Sequence, residues 1–124
     1  MGGVIAPFSA ASPTFTGTTT VSSLVASNAN INFGNLDVSF PGTGLQVKEG
    51  ANCKQGIAVL AAGSAVVANT AVTANSRILL TSQADGGTPG FVRVSARVPG
   101  TSFTITSSAG ADTSTIAYEI MEPG

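Results

Sequence analysis

The chain has 124 residues, with five Lys and Arg against six Asp and Glu, no His and no Trp, and only 9 % charged residues, well below the roughly 25 % of an ordinary soluble domain. This composition leaves no basic patch for nucleic acid, no apolar run near the roughly 18 residues a membrane span needs, and, with Cys53 alone, no disulfide framework. A short chain with so few charges and a mean hydropathy of +0.36 is expected to bury much of its surface against copies of itself or another protein.

Residues 1–36 carry no charge; Asp37 is the first. Phe8, Phe15, Val21, Leu24 and Val25 are spaced through this Thr/Ser/Gly-rich stretch like anchors on an extended arm, and residues 14–21 have high β-propensity. An uncharged, β-prone arm left exposed would aggregate, so it is expected to be covered by a neighbouring subunit or a host surface. The first eight residues lack the basic region and long apolar core of a secretory signal. Ala6 stands where a myristoylation pattern requires Ser or Thr.

Strict alternation begins near residue 28. Ile31 and Phe33 share a side, the register breaks at Gly34-Asn35, and Leu36, Val38 and Phe40 then take the apolar side. Two short strands are expected there, followed by a turn at Pro41-Gly42-Thr43-Gly44 and a further short strand at Leu45 and Val47. The extended arm with short strands is set at 1–50 and a β domain at 51–124.

In the second part, residues 56–60 read as a buried strand, and residues 65–68 with 71–72 as another after a Gly63-Ser64 turn. Four apolar runs follow at 77–83, 91–98, 102–107 and 115–121, divided by Gly, Pro and Ser, and they read as an antiparallel meander. No stretch has a helical period of useful length. The expected fold is therefore all-β, a small antiparallel β-sandwich or jelly-roll-like barrel. Within it Phe103 and Ile105 share a face, as do Ile116, Tyr118 and Ile120. Uninterrupted alternation from 91 to 98 places Arg93 and Arg97 on one side, about 13 Å apart. Cross-strand or intersubunit ion pairing, with Glu119 or Asp112 as partner, is the expected use of this pair; an anionic sugar is the alternative.

No catalytic constellation is legible. Without His there is no Ser/His or Cys/His pair, and Cys53 has no companion for zinc. No nucleophile elbow, Walker loop or dinucleotide fingerprint is present. The carboxylates Asp37, Glu49, Asp85, Asp112, Glu119 and Glu122 are scattered along the chain, whereas a glycosidase needs two of them facing one cleft. A non-enzymatic protein without metal or cofactor is expected.

The stretch Ala68-Asn69-Thr70-Ala71-Val72-Thr73-Ala74-Asn75-Ser76-Arg77-Ile78, with Gly90-Phe91-Val92-Arg93-Val94-Ser95-Ala96-Arg97, Gly100-Thr101-Ser102-Phe103-Thr104-Ile105-Thr106-Ser107 and Asp112-Thr113-Ser114-Thr115-Ile116-Ala117-Tyr118, resembles C-terminal β domains of tailed-bacteriophage fibre and virion surface (decoration) proteins. The likeness runs over residues 56–122. It implies a homotrimeric β structure on the virion and carries over no catalytic residue. The chain is short for a fibre and lacks a long shaft, which favours a capsid decoration (cement) protein. In that expectation Phe8, Phe15, Val21 and Leu24 grip the shell through the major capsid protein or another virion protein. Phe91, Arg93, Arg97 and Tyr118 lie between subunits. The alternative is a tail or head fibre tip binding a host-surface glycan, with Phe91 or Tyr118 stacking on sugar beside Arg93.

Overall fold

The structure, a computed structural model, describes residues 16–17 and 37–124. The account below concerns the unit Val38–Gly124. The arm residues Phe8, Phe15, Val21 and Leu24 lie outside the described residues.

Among the described residues there are six strands: β1 (Gln55–Val59), β2 (Ser64–Ala68), β3 (Arg77–Ala84), β4 (Val92–Val98), β5 (Ser102–Ser107) and β6 (Thr115–Met121). They form two antiparallel sheets of three strands, ordered β1-β6-β3 and β2-β5-β4. The domain is an all-β sandwich, as its short, turn-punctuated apolar runs require.

The two central strands show why the sequence folds this way. β5 and β6 alternate strictly between buried and half-buried positions. Phe103 and Ile105 on β5 face Ile116, Tyr118 and Ile120 on β6, and these five join Leu60 and Val72 in one core. Each large apolar side chain buried there contributes roughly 1.5–3 kcal/mol. The Phe103 and Tyr118 rings meet edge to face, with centroids 5.0 Å apart and planes at 78°, the arrangement favoured by aromatic quadrupoles. Ala58, Ala65, Val67, Ile78, Leu80, Val92 and Val94 close the core from the flanking strands.

The expected meander is corrected. β3 pairs with β6 and β4 with β5, so β3 and β4 belong to different sheets and, among these four strands, only β4–β5 is a hairpin. Periodicity reports which face of a strand is buried, not which strand lies beside it. The hairpin turn is Val98-Pro99-Gly100-Thr101, closed by a Thr101 N–H to Val98 carbonyl bond of 3.0 Å. Pro99 occupies its second position and Gly100, at φ +68°, its third, the left-handed corner that favours glycine.

Three further differences have local causes. β2 stops at Ala68, because the buried Asn69 turns the chain: its side-chain carbonyl accepts from Ala71 N–H at 2.8 Å and its amide donates to the Cys53 carbonyl at 2.8 Å. Residues 38–48 form no ladder; no described strand lies beside them, and Phe40 and Leu45 remain exposed. A β-bulge lies between Val94 and Ala96 on β4, and another between Ser82 and Ala84 on β3.

Candidate functional site

The β4 bulge determines where the two arginines point. Directly paired residues of an antiparallel ladder share a face. Arg93 pairs with Thr106 and Arg97 with Phe103. Thr106 is on the outer side of β5, whereas Phe103 is in the core. The extra residue reverses the parity of the strand after Val94. The expectation that Arg93 and Arg97 share a side is therefore corrected. Arg97 extends from the core-facing side to the sandwich margin, where its Nε donates to the Ser76 carbonyl just before β3, at 2.9 Å. Neither arginine pairs with Glu119 or Asp112; the ion pair found among the described residues is Lys54–Glu122.

Two polar hubs sit in loops of the domain. Asp112 is 0 % exposed. Its Oδ2 accepts from the Ser107 hydroxyl at 2.6 Å and from Gly90 N–H at 2.9 Å, and its Oδ1 accepts from Ser114 N–H at 2.9 Å. These donors, the Ser107 hydroxyl foremost and Ser114 next, hold its carboxyl below the usual range against the opposing effect of burial. A carboxylate so enclosed joins the end of β5, the start of β6 and the entry to β4; it is not open to a substrate.

The second hub is Glu122. Lys54 Nζ donates to it at 2.8 Å, Ser76 Oγ at 2.5 Å and Thr73 Oγ1 at 2.8 Å. The Lys54 ammonium is the main cause of a carboxyl pKa lowered to about 2, with Ser76 and Thr73 adding to it. Lys54 also donates to the Ala71 carbonyl at 2.8 Å. This network ties the residues before β1, those before β3 and the tail after β6 together, and so it too is structural.

Tyr118 is 6 % exposed and belongs to the core. Its expected place on a subunit-facing or sugar-stacking surface is corrected: the ring covers Gly56 of β1 and abuts Phe103. Phe91 is different. It is 87 % exposed and stands at the head of β4, two residues before Arg93 and hence on the same side.

The outer faces of the two sheets differ. On β1-β6-β3 a diagonal apolar band runs from Val59 and Ile57 across Ala117 to Leu79 and Met121; the four larger residues Ile57, Val59, Leu79 and Met121 are 52–62 % exposed. Glu119 sits half-buried beside this band, opposite Leu79. Next to it a shallow groove is lined by Glu49, Gln55, Leu79, Thr81, Gln83 and Glu119. On β2-β5-β4 the outer side is a hydroxyl surface of Ser64, Ser102, Thr104 and Thr106, with Val66, Val98 and Arg93 around it. Among the described residues no group of three His, Cys, Asp or Glu side chains is placed to hold a metal ion. No helix among them is long and apolar enough to cross a membrane.

The family model described as "K1 capsule-specific polysaccharide lyase, C-terminal domain" matches residues 52–121, more than half of the chain. The matched stretch encloses all six strands. Neither the curated proteins nor the solved structures yield a match.

Proposed function

The chain belongs to the family of the K1 capsule-specific polysaccharide lyase C-terminal domain, and from that premise we propose that it is a non-catalytic, self-associating structural module of a phage virion, carried on a tail spike or fibre. The observation that carries this reading is that the family match coincides with the complete β-sandwich, from before β1 to the end of β6. That match supports a phage-associated C-terminal domain of the tailspike type.

The chemistry of the domain agrees with a non-catalytic role. Lyase chemistry needs a base placed to remove a proton beside a carboxylate. This chain has no His. Asp112 is enclosed by Ser107, Gly90 and Ser114, Glu122 is held by Lys54, Ser76 and Thr73, and Tyr118 is packed in the core. In this reading, cleavage of a capsular polysaccharide belongs to other parts of the assembly. The apolar band Ile57, Val59, Leu79 and Met121 supports self-association, because an exposed apolar band on one face of a small, charge-poor domain is most stable when covered.

The capsid-decoration reading depends on the arm residues Phe8, Phe15, Val21 and Leu24, whereas the family match favours the tail. Immunogold labelling of intact particles with an antibody to the β domain tests this: label on the tail is expected, and label spread over the shell would replace the tail reading with decoration. Incubating the full chain with capsular polysaccharide tests the non-catalytic role. No unsaturated sugar products are expected; their appearance would overturn it.

A further inference from the structure

We infer that the free edge of β3, residues 78–82, pairs antiparallel with the same edge of a second copy, joining two three-stranded β1-β6-β3 sheets into one continuous sheet. The inference rests on the self-association proposed above and adds to it the strand edge through which two copies meet.

The backbone geometry sets which groups are free. Ile120 N–H donates to the Lys54 carbonyl, on the β1 side of β6. In an antiparallel ladder the bonding direction alternates from residue to residue. Ile116, Tyr118 and Ile120 thus bond toward β1, and Ala117, Glu119 and Met121 bond toward β3. Thr81, Leu79 and Arg77 stand opposite these last three and bond to β6. The N–H and carbonyl groups of Ile78, Leu80 and Ser82 then point away from the sheet, and no described residue bonds to them. The other edges are occupied or broken. Gly50 N–H donates to the Gln55 carbonyl on β1, Ala61 and Ser64 exchange both backbone bonds on β2, and a bulge between Val94 and Ala96 interrupts β4. From Ile78 to Ser82, β3 is unbroken and holds no charge, Pro or Gly. Natural edges are guarded by such devices, because an open apolar edge is a template for another strand.

This edge is complementary to itself. Outward-bonding residues must meet outward-bonding residues. Pairing centred on Leu80 sets Leu80 opposite Leu80 of the partner subunit and Ile78 opposite Ser82 of the partner subunit, which matches all three free positions. Pairing centred on Leu79 or Thr81 leaves one of them unmatched. On the outer side the Leu80-centred register sets Leu79 opposite the partner's Thr81 and Arg77 opposite the partner's Gln83, so no like charges meet. Asp85 lies two residues beyond Gln83; the partner's Asp85 is then diagonal to Arg77, within reach of its long side chain. Arg77 and Asp85 are both exposed, and neither forms an ion pair among the described residues. Within one chain they stand at opposite ends of β3, roughly 25 Å apart, and cannot meet. The two-fold axis of the contact forms their pair twice.

The test uses the full chain, with hydrogen exchange resolved to single amides in a concentrated sample and in one diluted until sedimentation velocity shows dissociation. The amides of Ile78, Leu80 and Ser82 are expected to exchange about tenfold or more slowly in the concentrated sample than in the dilute one, while those of Leu79 and Thr81 stay slow in both. A charge exchange tests the register. Arg77→Asp and Asp85→Arg are each expected to weaken self-association about fivefold or more, since each change acts at both ends of the contact. The double variant is expected to restore it to within about twofold of the parent, with the circular dichroism of all three unchanged. Self-association with Ile78, Leu80 and Ser82 amides equally fast at both concentrations would overturn the edge pairing. So would single variants that associate like the parent, or a double variant no better than they are; each of these results leaves self-association itself standing. A parent chain that is monomeric at every concentration would remove both.

Discussion

The ring of Tyr118 lies across the α-carbon of Gly56, its partner on β1. A Cβ at Gly56 would meet Tyr118 Cζ at 2.5 Å and Cε1 at 2.8 Å. Glycine in a strand interior is weak in itself, and an aromatic laid over it restores the lost packing. The pairing also explains why Tyr118 is in the core: its ring fills the space that the missing side chain leaves open. Gly56→Ala should therefore destabilise the domain by about 1–3 kcal/mol through overpacking, although alanine has the better strand propensity. In a Tyr118→Leu background the same substitution should cost markedly less. Equal costs in both backgrounds, measured by urea unfolding, would show that the ring and the glycine are not coupled.

The β4 bulge gives the two arginines unequal roles. Arg97 donates to the Ser76 carbonyl across the margin between the sheets, while Arg93 points outward beside Thr106. Arg97→Ala should cost about 1 kcal/mol, and Arg93→Ala less than about 0.5 kcal/mol, as for an ordinary surface change. Matching losses for the two variants in thermal or urea unfolding would argue against the reversal of parity at Ser95.

Much of this fold is legible in the residues. Alternation marks Phe103, Ile105, Ile116, Tyr118 and Ile120 as two shared faces, and Pro99-Gly100 marks the one hairpin turn among β3 to β6. Pairing is not legible, because β6 takes β1 and β3 as neighbours across long sequence separations, and local pattern carries no record of such contacts. The bulge is likewise silent: Val94-Ser95-Ala96 has no glycine to announce it. The role of Asp112 follows from the end of β5, the start of β6 and the entry to β4 converging in space; in the sequence it is one scattered carboxylate in a small-residue loop. Phe91 and Arg93 are visible as an exposed aromatic and a nearby cation, but the Ser108 and Gly90 contacts that fix the Phe91 backbone appear only in the fold.

Acid should unfold the domain through its carboxylates. Glu122 has its pKa lowered from 4.5 to about 2, chiefly by Lys54. A depressed folded-state value means that the unfolded chain takes up protons first. The stabilisation is then fully present above the unfolded value near 4.5 and is lost as pH falls from there through about 2. Asp112 is also depressed, so it acts in the same direction from its ordinary value of 3.8 downward. The unfolding temperature should stay level from neutrality to about pH 5 and then fall. Glu122→Gln should lower the neutral-pH value and flatten the upper part of the acid limb, leaving the Asp112 contribution below it. An acid limb identical in the variant and the parent, by circular dichroism at low salt, would remove Glu122 from this account.

The diagonal band Val59, Ile57, Ala117, Leu79 and Met121 on the outer side of β1-β6-β3 is the surface proposed to meet other copies. Leu79 flanks Glu119 on β6, and Ile57 flanks Ala117 from the opposite edge strand, so a charge at either one falls within the band. Covering the remaining exposed half of each large side chain would contribute about 1 kcal/mol per residue per contact, and closure of a ring multiplies the number of contacts per particle. Ile57→Asp and Leu79→Asp should each shift the full chain toward monomer in sedimentation velocity and lower the unfolding temperature by the lost association, while the circular dichroism of the folded β domain is kept because neither side chain is in the core. Val66→Asp, on the outer side of the other sheet, serves as the control and should leave the assembly intact. Dissociation by Val66→Asp alone would move the subunit contact to the β2-β5-β4 face. A parent chain that sediments as a monomer at all concentrations would remove self-association from the proposed function.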